Sequence, residues 1–137
     1  MKQIFLTTLL LLGFLFIAKA QGPQPDPFKP EKGMVLLNDY VDKTIELTVG
    51  QKAYFQVVQT KEELDATGAV LYADDPAIIS MLHDKAHWQI QGKGDKEKHT
   101  KTTVFEAVGK GTTKIMYEGE DIKSGQDIVK TITVVVK

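Results

Sequence analysis

The chain has 137 residues, with 17 basic and 18 acidic side chains, no cysteine and 42% hydrophobic residues, which is one domain's worth of polymer. The missing cysteines exclude a disulfide scaffold, a thiolate metal centre and a thiol nucleophile. Every basic residue is a lysine, so bidentate guanidinium recognition of phosphate or carboxylate is excluded, and the near-neutral balance disfavours a general nucleic-acid binder.

Residues 1–20 open with Lys2, continue through an apolar stretch at residues 4–18 and end on Ala18-Lys19-Ala20. The apolar stretch is shorter than the roughly 20 residues of a bilayer-spanning helix, and the small-x-small ending is a cleavage signal. A secretory signal peptide is therefore expected, with a secreted or periplasmic product and no membrane insertion after cleavage. Cutting there removes Lys2 and Lys19 and takes the net charge from −1 to −3.

Residues 21–32 contain Pro23, Pro25, Pro27 and Pro30, spaced so that neither a helix nor a ladder of backbone donors forms; this reads as an extended tether. From residue 33 to 137, short apolar runs alternate with turn residues, the pattern of an all-β antiparallel sandwich with an immunoglobulin-like shape. In residues 43–49, Ile45, Leu47 and Val49 alternate with Thr44, Glu46 and Thr48, predicting a half-buried strand. A strand is predicted over 53–59, a polar loop over 60–68 and a strand over 69–72. Asp74-Asp75-Pro76 makes a turn, and short strands are predicted over 78–82 and 88–91.

The charged, glycine-bearing stretch 92–101 predicts a solvated loop. Strands over 102–108 and 112–118 flank Gly109-Lys110-Gly111, and the spacing predicts a hairpin in which Val104, Ala107, Ile115 and Tyr117 make apolar contacts and Lys114 points out. A last polar loop covers 119–126, and the strand over 128–136 closes the domain with Ile128, Ile132, Val134 and Val136 on one face.

Catalytic chemistry finds little support. His83 and His87 stand four apart, but Asp84-Lys85-Ala86 between them shows no apolar stripe, so with His99 they read as loop histidines. Glu62-Glu63, Asp74-Asp75 and Glu120-Asp121 are adjacent carboxylates that point apart rather than converge on one cleft. Gly92-Lys93-Gly94 lacks the flanking strand, helix and Lys-Ser/Thr pair of a phosphate loop, and neither Ser80 nor Ser124 sits in a nucleophile elbow. The chain reads as a binding protein without metal or cofactor. Trp88 reads as core filler and Tyr117, at a strand end, as a partner contact.

Leu47-Thr48-Val49-Gly50-Gln51 and the stretch Phe105-Glu106-Ala107-Val108-Gly109-Lys110-Gly111-Thr112-Thr113-Lys114-Ile115 are similar to the opening strand and the penultimate hairpin of the chagasin-like cysteine-protease inhibitors. The resemblance covers about 90 residues at the C-terminal side. It implies that three loops at one end form a wedge for the active-site cleft of papain-like cysteine proteases. Leu64-Asp65-Ala66-Thr67-Gly68 keeps the final Thr-Gly of that family's first loop and lacks its Asn-Pro. Gly92-Lys93-Gly94-Asp95 keeps the first two glycines of the second loop, and residues 119–125 have none of the arginine, proline or tryptophan of the third. The implied contacts are Asp65, Ala66, Thr67, Gly68, Gly92, Lys93, Gly94, Tyr117, Gly119 and Glu120, with Thr67-Gly68 entering the cleft. The expectation is a monomeric, non-enzymatic protease inhibitor; the alternative is a non-inhibitory immunoglobulin-like adhesion or accessory module of the bacterial envelope.

Overall fold

Eight strands make two four-stranded sheets that pack face to face. The structure, a computed structural model, describes residues 26–137; the expected signal peptide and the first residues of the proline-rich stretch lie outside them. The first sheet contains β1 (Val35–Leu36), β3 (Lys52–Thr60), β5 (Ile79–Gln91) and β6 (Lys98–Ala107) in the order β1-β3-β6-β5. The second contains β2 (Thr44–Leu47), β4 (Thr67–Ala73), β7 (Gly111–Asp121) and β8 (Asp127–Val136) in the order β2-β8-β7-β4. The all-β sandwich expected from the sequence is the fold observed. Two pairings, β1 with β3 and β2 with β8, are parallel, because the chain crosses between sheets at each early connection. Among the described residues no helix is long and apolar enough to cross a membrane.

The period-2 pattern explains the core. Ile45 and Leu47 of β2 are buried while Thr44 and Glu46 are exposed, and Val49, past the strand end, is exposed as well. Ala53 and Phe55 of β3 meet Phe105 and Ala107 of β6 and Ile79 of β5 on one inner face. Ile115 of β7 with Ile132, Val134 and Val136 of β8 supplies the other. Phe105 is 1% exposed at the centre, where removing such a side chain typically costs about 3–5 kcal/mol.

Part of the outer face of the first sheet is covered too. Thr102 and Val104, which point away from the interlayer, are both fully buried. Phe28 of the proline-rich stretch packs over this face, with its ring centroid 5.2 Å from that of Tyr54 and 5.9 Å from that of His87. Glu31 of the same stretch pairs with Lys52 at 3.0 Å.

Four expectations change. The strands flanking Gly109-Lys110-Gly111 do not form a hairpin: β6 belongs to the first sheet and β7 to the second, so this corner crosses the interlayer. Val104 consequently faces outward, while Phe105 and Ala107 face Ile115 across the core. The short strands over 78–82 and 88–91 are one strand, β5, whose register against β6 slips between Leu82 and His87 at a bulge. Residues 98–101, expected in a loop, are the start of β6, paired on both sides with β3 and β5. The loop over 60–68 contains a short helix, α1 (Lys61–Ala66).

Candidate functional site

The strand pairings bring three connections to one end of the sandwich. Thr60 closes β3 opposite Lys98, Gln91 closes β5 opposite the same residue, and Thr67 opens β4 opposite Asp121. The end is therefore built from α1, the turn at 92–97 and the turn at 122–126.

Each connection is held by its own hydrogen bonds. Thr60 caps α1 reciprocally with Glu63: the Glu63 backbone N–H donates to Thr60 Oγ1 at 3.1 Å, and the Thr60 N–H donates to Glu63 Oε2 at 2.8 Å. In the second connection Gly94–Lys96 form a 3-10 turn, closed by the Glu97 N–H on the Gly94 carbonyl at 3.1 Å. Gly92 enters this turn at φ +80°, and a Cβ there would lie 2.5 Å from the Lys96 carbonyl oxygen, so glycine is required twice over. In the third, Asp121 Oδ1 accepts from the backbone N–H groups of Lys123 at 2.9 Å and Ser124 at 3.3 Å, a side-chain-closed turn.

The first and third connections are also tied to each other. The Ile122 N–H donates to the Ala66 carbonyl at 2.7 Å, and Lys123 Nζ forms an ion pair with Glu62 Oε1. That pairing holds the Glu62 carboxyl below its usual range and the Lys123 amine above its own. α1 and the second connection face each other across a shallow groove lined by Glu62, Asp65, Asp95 and Glu97 with Lys61 as its one cation, so this groove is acidic.

The residues expected to make contacts divide into two groups. Asp65 and Ala66 lie in the last turn of α1, Gly92, Lys93 and Gly94 lie in or beside the second turn, and Glu120 lies one residue from the end of β7. These gather at the loop end. Thr67-Gly68 does not form a loop tip; both residues are in β4, paired with Asp121 and Glu120. The tip of the first connection is the helix, whose polar residues and threonine cap outcompete an open loop. Gly119 is likewise a strand residue between Ala69 and Ile128, and a Cβ there would collide with the Gly68 carbonyl and Ala69. Tyr117, expected at a strand end, lies four residues inside β7 with its ring 6.0 Å from that of Phe55. Its burial raises the phenol pKa, and it packs within the interlayer instead of at the edge.

Ile122 is the residue that sequence reasoning missed. It is 66% exposed at the tip of the third connection, an isolated aliphatic side chain between Asp121 and Lys123 in an otherwise polar turn, and that isolation is the signal that marks it. Trp88, expected in the core, is 49% exposed on the edge strand β5. The histidines diverge: His83 is in the bulge, His87 faces Phe28 on the outer side, and His99 meets Trp88 on the inner side.

No protein-family model matches the sequence, and no curated protein matches it. Solved structures do resemble the fold. The chain superposes on the cysteine protease inhibitor EhICP2 from Entamoeba histolytica with a TM-score of 0.53 and 11% identity, over 76% of this chain and 93% of that one. It superposes on amebosin with a TM-score of 0.51 and 14% identity, over 76% of this chain and 96% of that one. The fold is chagasin-like. At these identities the likeness speaks for the arrangement of the layers, and the three connections at the loop end stand on their own geometry.

Proposed function

We propose that this chain is an exported inhibitor of papain-like cysteine proteases that presents its loop end to the active-site cleft. The observation that carries the reading is the convergence of α1, the 92–97 turn and the 122–126 turn on one end, with the first and third tied through Ile122, Ala66, Glu62 and Lys123. A pre-tied edge avoids much of the ordering penalty of binding, about 0.5–1.5 kcal/mol for each flexible side chain immobilised. The solved inhibitor EhICP2, on the same layered scaffold, supports the choice of partner class.

On this reading Ile122 is the apolar anchor of the edge, occupying the role that an aromatic residue or arginine would otherwise take in an interface centre. Asp65 and Ala66 of α1 approach from one side and Gly92, Lys93 and Gly94 from the other, with Glu120 flanking; Thr67 and Gly68 hold α1 on β4 and do not enter the cleft themselves. The acidic groove between α1 and the second turn favours a protease whose cleft rim is basic. Residues 1–20, read as a signal peptide, support the export part of this reading, under which the inhibitor meets exported proteases.

The test is titration of papain with the purified protein lacking residues 1–20, following turnover of a peptide substrate. The expected result is saturable inhibition at micromolar or lower protein, with the inhibitor recovered intact. Unaltered turnover across that range, or progressive cleavage of the protein at the loop end, contradicts the proposal.

A further inference from the structure

Between the edges β4 and β5 the two layers separate, leaving a cavity of about 340 Å3. That is within the range of about 300–1,000 Å3 in which small-molecule sites fall. Leu71 of β4, Met81 and Trp88 of β5 and Val57 of β3 supply an apolar wall, and Leu64 of α1 closes the end nearest the loops. The charged or titratable side chains of the lining are His83, His99, Lys101 and Tyr117, and no Asp or Glu contributes to it, although the chain has 18 acidic residues.

One of these groups lacks a charged partner, and a second has only a misaligned one. Lys101 pairs in the ladder between Val57 and Trp88, is exposed at the cavity, and forms no salt bridge among the described residues. Both ring nitrogens of His99 are buried without a hydrogen bond; Nε2 lies 3.2 Å from Glu97 Oε1, out of line for one. An apolar chamber with an unpaired cation and an unsatisfied imidazole in its wall suits a molecule with an apolar body and one anionic end.

We propose that this cavity binds a medium-chain carboxylic acid, its chain against Leu71, Met81 and Trp88 and its carboxylate on Lys101, with His99 turning about its ring bond to donate a second hydrogen bond. The site lies between the layers, adjoins the loop end only through Leu64 of α1 and Thr67, and does not depend on protease binding. Trp88, the single tryptophan of the chain, stands in the cavity wall and reports on occupancy.

The experiment titrates the purified protein with octanoate, 1-octanol and octylamine, reading Trp88 fluorescence and, in parallel, heat by calorimetry. Octanoate is expected to bind saturably with Kd below about 1 mM, and octylamine at least about tenfold more weakly, as befits loss of one charge-assisted contact. Lys101→Gln, at an exposed position, is expected to keep the far-ultraviolet circular dichroism of the parent and to weaken octanoate binding about tenfold while leaving octanol binding unchanged. Absence of saturable octanoate binding in both readouts overturns the proposal. So does octylamine binding as tightly as octanoate, or a Lys101→Gln variant that binds octanoate as well as the parent does.

Discussion

The two halves of the interlayer differ along β3, β6, β7 and β8. In the half farther from the loops the inward positions are Ala53 and Phe55 of β3, Phe105 and Ala107 of β6, Ile115 of β7 and Ile132, Val134 and Val136 of β8, and all are buried. Continuing along the same strands toward the loops, the inward positions become Val57 and Gln59, Lys101 and His99, Tyr117 and Gly119, and Lys130. None of these is fully buried. The closed half supplies stability, and the half next to the loops trades packing for space and polar groups. The proposed binding features thus gather at the end of the molecule where the layers pack less closely.

The largest effect expected from this contrast is in the core. Phe105→Ala should lower unfolding free energy by about 3–5 kcal/mol in urea titration, whereas Met81→Ala, whose side chain already borders a void, should lower it by less than about 2 kcal/mol. Equal losses would erase the distinction between the halves. Gly119→Val tests whether the open half still has a tight spot: its side chain would strike Gly68 and Ala69, and a loss of about 1–3 kcal/mol is expected by the same measurement.

Smaller effects belong to the loop end. Thr60→Ala removes the reciprocal cap of α1 and should cost about 1 kcal/mol, with hydrogen exchange rising first at residues 61–66. The Glu62–Lys123 pair should matter least, since both side chains are solvent-exposed. Its sign is nonetheless defined. Because the folded Glu62 pKa lies below its unfolded value, the pair's contribution is present above the ordinary carboxylate range and is lost as pH falls through the folded value. Because the folded Lys123 pKa is raised, the contribution is also lost at alkaline pH as the pH rises through that folded value. Exchange rates at residues 122–126 in parent and Glu62→Gln protein, compared at neutral and acid pH, should converge in acid.

Much of this architecture is legible in the residues, and the failures have physical causes. Alternation identifies β2 and β8 because each has one buried face and one face open in whole or in part to solvent. It fails on β5, where the bulge at residues 83–86 interrupts the period and divides one strand into two apparent pieces. It also fails at the Gly109-Lys110-Gly111 corner, since local spacing fits a tight turn whether the next strand pairs with the last or crosses to the other sheet. Lys98 and Thr100 disguise the start of β6, because strand positions that face solvent read like loop. α1 was legible: Thr60 and Glu63 have the spacing of a capping box, outweighed in a sequence reading by the polar character of the segment. The convergence of the three connections could be expected only through the chagasin-like resemblance, and the cavity not at all, because both depend on which strands become neighbours.

The proposed inhibition requires the loop end to act as one edge, and hydrogen–deuterium exchange of the protein alone and with excess catalytically blocked papain tests this most directly. The predicted result is simultaneous protection of residues 60–68, 92–97 and 119–126, with the rest of the sandwich unchanged. Protection confined to a sheet face, or to one of the three connections, would contradict it.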